Sequence, residues 1–381
     1  MKRIIALTLL AALLLSGCSI VERANQRPSR DAAAVQSGAQ GSSDSAQSPD
    51  AAAETTAMPA TEPTTVPTTE PAEPPFNPLN GEILDAPFDG RIFANTISNI
   101  RDAIPHVGVN QADILMEMFV NGSIIRCLAL YTNIEDVAAI GSTRSTRLMF
   151  NSICQHYNAI LSHAGGSEQC LTDATNRGLA HYNIDSLMRG ADPLAQGTAY
   201  RDTQYKYGEH NLFGIGAGIK AYAEAQGVQV SGMPEVDYGL RFTDDGTPAD
   251  GESAESITVT ITYGKSKKPT TMKYDAELGK YVYYQYEQMM VDQITGETEA
   301  FQNVIIMHAN ITTNGIYHVA DFEAGGEGYF ACGGKIIPIK WECDSEDSPF
   351  RFLTMDGALL ELGRGNTYIA ICTPESEVVY E

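Results

Sequence analysis

Apolar and polar positions change pattern twice along the chain. An almost unbroken apolar run from Ile4 to Leu15 comes first, and from Ser19 to Pro75 there is neither an aromatic residue nor a sustained apolar period. From Phe76 onward the periods of folded structure appear. "ADILMEMFV" and "IIRCLALYT" are β-rich runs separated by Asn121-Gly122, a strong hairpin signal. "RLMFNSICQHY" then repeats apolar residues at helical spacing, with Met149, Phe150, Ile153 and Tyr157 on one stripe. "NAILSHAGG" reads as a buried strand ending in glycines, and "FGIGAGIKAYAEAQG" as an amphipathic helix closed by Gly227.

The second half carries no convincing helix. "SITVTITYG", "GKYVYYQY", "NVIIMHANI", "GIYHVADF", "KIIPIKWEC", "FRFLTM" and "TYIAIC" are short strands separated by turn residues such as Gly333-Gly334 and Asp356-Gly357. A segment dense in Gly, Asp, Ser and Pro near residues 231 to 255 separates the halves. The pattern predicts an α+β chain: a mixed α/β domain over 76–235, then a mainly antiparallel β domain over 236–381.

The ends of the chain give its location. Residues 1–17, with Lys2 and Arg3 ahead of the apolar run and small residues behind it, read as a signal peptide too short to be a permanent membrane span. Leu15-Ser16-Gly17-Cys18 resembles the bacterial lipobox. That resemblance implies a diacylglyceryl thioether on Cys18, so the expected first partner is the lipid bilayer and the expected location is the outer face of the bacterial cytoplasmic membrane. Residues 18–75 then form a tether, because a segment this poor in apolar surface cannot offset its conformational entropy by burial.

Charge and cysteine usage exclude whole classes of function. The formal net charge is -23, and loss of the signal peptide leaves 23 basic residues against 48 acidic ones, so nucleic acid is repelled. Six cysteines follow Cys18 without a CxxC or a familiar disulfide spacing, and they read as buried thiols. His156 and His163 are seven apart across a helix–strand break and no H-E-x-x-H occurs, so neither a metal nor another cofactor is expected.

Against this acidic background "GSTRSTR", residues 141–147, stands out. Ser142, Thr143, Ser145 or Thr146 is expected to cap the helix that follows, placing Arg144 and Arg147 at its first turn. Cations there oppose the helix dipole, so the pair calls for an anion. That anion is either a bound ligand or an internal carboxylate such as Asp113, Glu117 or Asp202. His163, Gly165, Gly166 and Ser167 follow at a strand end, where ligands often bind. Arg201, His210 and Asn211 in "YRDTQYKYGEHNLF" complete a candidate anion-binding pocket if that loop folds back. No serine-hydrolase G-x-S-x-G is formed around Ser167.

The order of motifs resembles the YerB-type bacterial lipoproteins, whose two regions are domains of unknown function. "PLNGEILD", "VNQADILMEMFVNGSIIRCLALY", "IGSTRSTR", "AILSHAGGS", "YRD", "HNL", "VDQITGE" and "GGEGYFACGGKIIPIKWECDSEDSPFRF" carry the resemblance, which runs from Pro78 to Cys372. It implies an α/β first domain and a β-rich second one, and supplies no reaction. The expected function is therefore an envelope lipoprotein that binds an anionic small molecule, a cell-wall glycan or an envelope protein. The alternative is a cell-wall hydrolase or transferase with His163 as general base beside Arg144 and Arg147.

Overall fold

The computed structural model describes residues 74–204 and 208–381. The signal peptide, Cys18 and nearly all of the tether lie outside these residues. Three strands of the first half, β1 (Phe93–Ser98), β2 (Ile114–Asn121) and β3 (Ile124–Tyr131), pair antiparallel through β3. Gly122, at φ 52°, makes the β2–β3 turn. These strands do not form a sheet of their own. Strand Thr367–Cys372, near the C-terminus, lies parallel to β2 on one side and to strand Asn303–His308 on the other. On the far side of β1, strands Ile160–His163 and His181–Asn183 continue in parallel. Together they belong to one sheet of thirteen strands drawn from both halves.

The architecture is α+β, with a mixed first region carrying a few helices and a second region of mainly antiparallel strands. Both faces of β2 are buried, which explains why "ILMEMFV" shows no polar alternation. Leu115 and Phe119 face a core shared with Ile257, Val259 and Met272 of a smaller six-stranded sheet. Met116 and Met118 face a second core, covered by α1 (Leu148–His156) through Met149, Phe150 and Ile153. The helical stripe read from the sequence is thus the one that packs, and the helix expected before Gly227 spans Gly216–Ala225. The six cysteines that follow Cys18 are all buried thiols.

Between the two sheets Glu117 is completely buried, yet it is surrounded by donors. The Lys268 ammonium and the Tyr368 hydroxyl (2.6 Å), Thr270 hydroxyl (3.0 Å) and Asn99 amide (2.7 Å) all reach its carboxylate. Burial pushes this carboxyl up, but Lys268 and the hydroxyl donors outweigh it and hold the group below its usual range. Burial pulls the Lys268 ammonium down in turn. We take the pair as ionic, because a protonated Glu117 would set its own O–H against this ring of donors.

Asp113 plays a smaller part of the same kind. It accepts from Asn77 (3.0 Å), Asn80 (2.6 Å) and the Thr132 amide (2.6 Å), fixing the segment that leads into β1. Here burial dominates the opposing hydrogen bonds and pushes the carboxyl up to about 6.

Two stability predictions follow from these buried acids. Lys268→Met strands an ionised Glu117 and costs about 3–5 kcal/mol in denaturant unfolding. Adding Glu117→Gln recovers most of that loss, whereas equal stability of the single and double variants would mean that the pair is not ionic. For Asp113, a folded pKa raised above the unfolded value gives stability that is full below pH ~4 and lost as pH rises through about 6. Asp113→Asn should flatten the urea midpoint across that window, and an unchanged slope would refute the assignment.

Candidate functional site

The first cation of the site comes from a position that carries no motif. Arg126, on β3, is 4 % exposed, and its Nη1 donates to the Ser145 carbonyl at 2.6 Å. Burial, then the charges of Arg147 and Arg144, pushes its guanidinium down to about 9. Only an interruption in the apolar run "IIRCLALY" marks it in the sequence. Three guanidinium groups therefore share one electrostatic neighbourhood.

Backbone hydrogen bonds hold "GSTRSTR" in place. Arg144 N donates to Thr96 O at 2.9 Å and Thr143 N to Leu212 O at 2.8 Å. Ala164 N reaches Arg144 O at 2.9 Å, and Thr146 N reaches Gly165 O at 3.0 Å. These last two bonds clamp the "STR" loop to the glycine loop.

The helix start differs from the expectation. Arg147 itself is the N-cap of α1, and no side chain caps the helix. Thr146 is diverted because its hydroxyl donates to Asn151 at 2.6 Å, and Ser142 because its hydroxyl goes to the His210 carbonyl. Ser167 does cap a helix, α2 (Glu168–Asn176), by accepting from Cys170 N at 3.3 Å. Residues 144–146 and 163–165, which are hydrogen-bonded together, thus lead into two helix N-termini.

The internal acids differ as well. Asp113 and Glu117 are engaged elsewhere, as described above, and Asp202 accepts from the Gln204 amide. Arg144 pairs instead with Glu209 at 2.8 Å, and that carboxylate is 66 % exposed. Arg147 has no carboxylate in ion-pair contact among the described residues. Its Nε donates to Asn121 at 3.0 Å, its Nη1 to the Thr146 carbonyl at 2.7 Å, and its guanidinium lies 5.5 Å from the centre of the Tyr317 ring. Tyr317, from the second region, pairs in register with Asn121, so both halves of the chain build this corner.

His163 is not poised for proton transfer. It is fully buried, with Nδ1 2.8 Å from Gly165 O and Nε2 3.1 Å from His181 Nδ1. Burial, followed by His181, pulls its pKa down to about 3. Both ring nitrogens are engaged and the ring is neutral throughout the physiological range, so the geometry gives no support to a general base here. Gly165 is favoured by its φ of 77°, while a Cβ at Gly166 would make a tight 3.1 Å contact with the Leu171 side chain.

Arg201 lies in register with Leu212, one strand from the arginine loop. Its donors go to Asp185 at 2.7 Å and to the Asn211 side chain. His210 Nε2 is 3.8 Å from Glu209, the partner of Arg144. Arg201 and Asn211 thus brace the wall of the site, while Arg126, Arg144 and Arg147 form its charged centre.

Two concavities of the surface lie elsewhere. One, about 730 Å³, is lined by Phe76, Phe88, Tyr238 and several prolines, and the other, about 330 Å³, lies over Asp113.

Comparison with known proteins agrees with this organisation. Residues 80–229 match the family described as "Protein of unknown function (DUF3048) N-terminal domain", and residues 259–369 match its C-terminal domain. The chain is 27 % identical over 287 residues to "Putative lipoprotein YerB" of Bacillus subtilis (strain 168), covering 74 % of this chain and 81 % of that one. The crystal structure of the YerB protein from Bacillus subtilis superposes with a TM-score of 0.67 at 21 % identity, over 80 % of this chain and 99 % of that one. With both regions matched in order along one chain, the protein belongs to the DUF3048 family of YerB-type, two-region proteins.

Proposed function

We propose that the protein is a lipid-anchored envelope protein that binds an anionic small molecule, bearing a phosphate or a carboxylate, at Arg126, Arg144 and Arg147. Anchoring through Cys18 is supported by the lipobox-like Leu15-Ser16-Gly17-Cys18 and by the name of the Bacillus relative. The observation that carries the binding reading is Arg126. Its charge is almost completely buried beside two further arginines, and among the described residues it has no carboxylate in ion-pair contact. Leaving a charge unneutralised in such a place is costly, and a bound anion removes that cost.

The uncapped N-terminus of α1 supports the same reading, because its free N–H groups and dipole also favour negative charge. Glu209 is too exposed to serve as a permanent counter-ion, since a surface ion pair of this kind is worth about 0–1 kcal/mol. A ligand anion displaces it at little cost. His163, Gly165, Gly166 and Ser167 shape the floor of the site, and Arg201, His210 and Asn211 form its wall.

Thermal unfolding of the purified full-length protein against phosphate, sulfate, citrate and a sugar phosphate tests this. At least one anion should raise the melting temperature with the concentration dependence RT ln(1 + [L]/Kd). The response should vanish in an Arg144→Ala, Arg147→Ala double variant and strengthen in Glu209→Gln. If no anion shifts the wild type while the double variant melts far lower without ligand, the arginines are internal struts and the proposal is wrong.

A further inference from the structure

The cleft of about 330 Å³ over Asp113 is unlike the arginine site in every respect that selects a ligand. Of its thirteen lining residues only Ala112 and Val137 are apolar, so an apolar ligand gains little there and any occupant has to bring hydrogen bonds. Its charged residues are Glu82, Asp113, Asp136 and Lys280, an acidic balance that repels anions. Among the described residues there is no group of three potential ligands for a metal ion.

What remains is a concentration of side-chain amides, each pairing a donor with an acceptor. Asn110, Gln111, Asn133 and Asn366 line the cleft together with Asp136 and Lys280. We propose that this cleft binds a neutral, hydroxyl-rich ligand the size of one or two sugar rings. An amide or a carboxylate meets two neighbouring hydroxyls in a way that it cannot meet a hydrocarbon, and Lys280 adds a donor to hydroxyl oxygen. The volume lies at the lower end of the roughly 300–1,000 Å³ typical of small-molecule sites.

The walls are held before any ligand arrives. The Asn366 amide donates to Ala300 O at 2.8 Å, and Lys280 Nζ lies 3.4 Å from its Oδ1. Asn133 donates to Asp136, and Asp113 fixes Asn77 and Asn80 from below. Such preorganisation lowers the ordering cost of binding. Asn110 spends its Nδ2 on Glu297 at 2.7 Å, while its buried Oδ1 has no hydrogen-bond donor. Lys280 and Asn366 come from the second region and the remaining walls from the first, so the cleft lies on the seam between them.

Titration of the full-length protein with glucose, N-acetylglucosamine and maltose, followed by saturation-transfer NMR and by melting temperature, tests the proposal. At least one sugar should bind with millimolar or better affinity. A Gln111→Ala, Asn133→Ala double variant, altered only at exposed positions, should weaken it about tenfold or more. Gln111→Trp, which fills the cleft from its rim, should abolish binding even if the double variant folds poorly. The Arg144→Ala, Arg147→Ala variant should keep the sugar response, which separates this site from the anion site. Absence of binding by all three sugars, or binding that survives Gln111→Trp, would overturn the proposal.

Discussion

The ion pair of Glu117 and Lys268 is the constraint on which the arrangement of the two regions depends. Glu117 sits on β2, in the middle of the large sheet, and Lys268 and Thr270 lie on a strand of the smaller sheet packed against it. An unpaired carboxylate at zero exposure would be among the most expensive groups a core can hold. Only the exact facing of the two sheets brings ammonium, hydroxyls and amides to it. Apolar residues such as Leu115 and Met272 supply most of the attraction between the sheets, but they would tolerate a sliding of one over the other that the polar cluster does not. The cluster also includes Asn99 and Tyr368, so the chain on both sides of the "GSTRSTR" loop is tied to the same point.

What was legible in the sequence was what depends on near neighbours. The Asn121-Gly122 hairpin, the Met149–Tyr157 stripe and the seven strand runs named in the second half follow from local period and turn chemistry, whereas Ser266–Asp275 and Gly326–Cys332 went unread. The insertion of Thr367–Cys372 between β2 and Asn303–His308 leaves no local trace, because a strand buried on both faces reads as a near-continuous apolar run whichever neighbour it acquires. In the smaller sheet, Ser256–Tyr263 gave a clear reading for the opposite reason, since its residues alternate between buried and partly exposed positions.

The site divides along the same line. The placement of the "STR" loop by a helix start and of "SHAGG" at a strand end was legible, while the backbone bonds that join them were not. Nor were the partners of the charges. Arg144 took Glu209, Arg201 took Asp185, and Arg126 joined the cluster from within an apolar strand. Each of those pairings depends on where distant segments meet. The helix cap was misread because Thr146, a good cap by type, is occupied by Asn151, and that competition can be seen only with both side chains in place.

A chain with net charge -23 that gathers three arginines raises the question of how an anion would reach them. At physiological ionic strength fields decay over about 8 Å, so most of the acidic residues act only weakly at the site, while Arg126, Arg144 and Arg147 act on one another directly. The global charge therefore acts only weakly at the site, and in the binding proposed here short-range geometry selects the ligand. Planar guanidinium forks held by Ser145, Asn121 and Thr146 favour a compact oxyanion that accepts from several donors at once over a diffuse polyanion. On the proposed reading, the net negative charge of the chain disfavours nucleic acid and other extended polyanions, which reach beyond the arginines, more than it disfavours a small anion. The selectivity proposed for this site thus arises from the contrast between the centre and its surroundings rather than from the arginines alone.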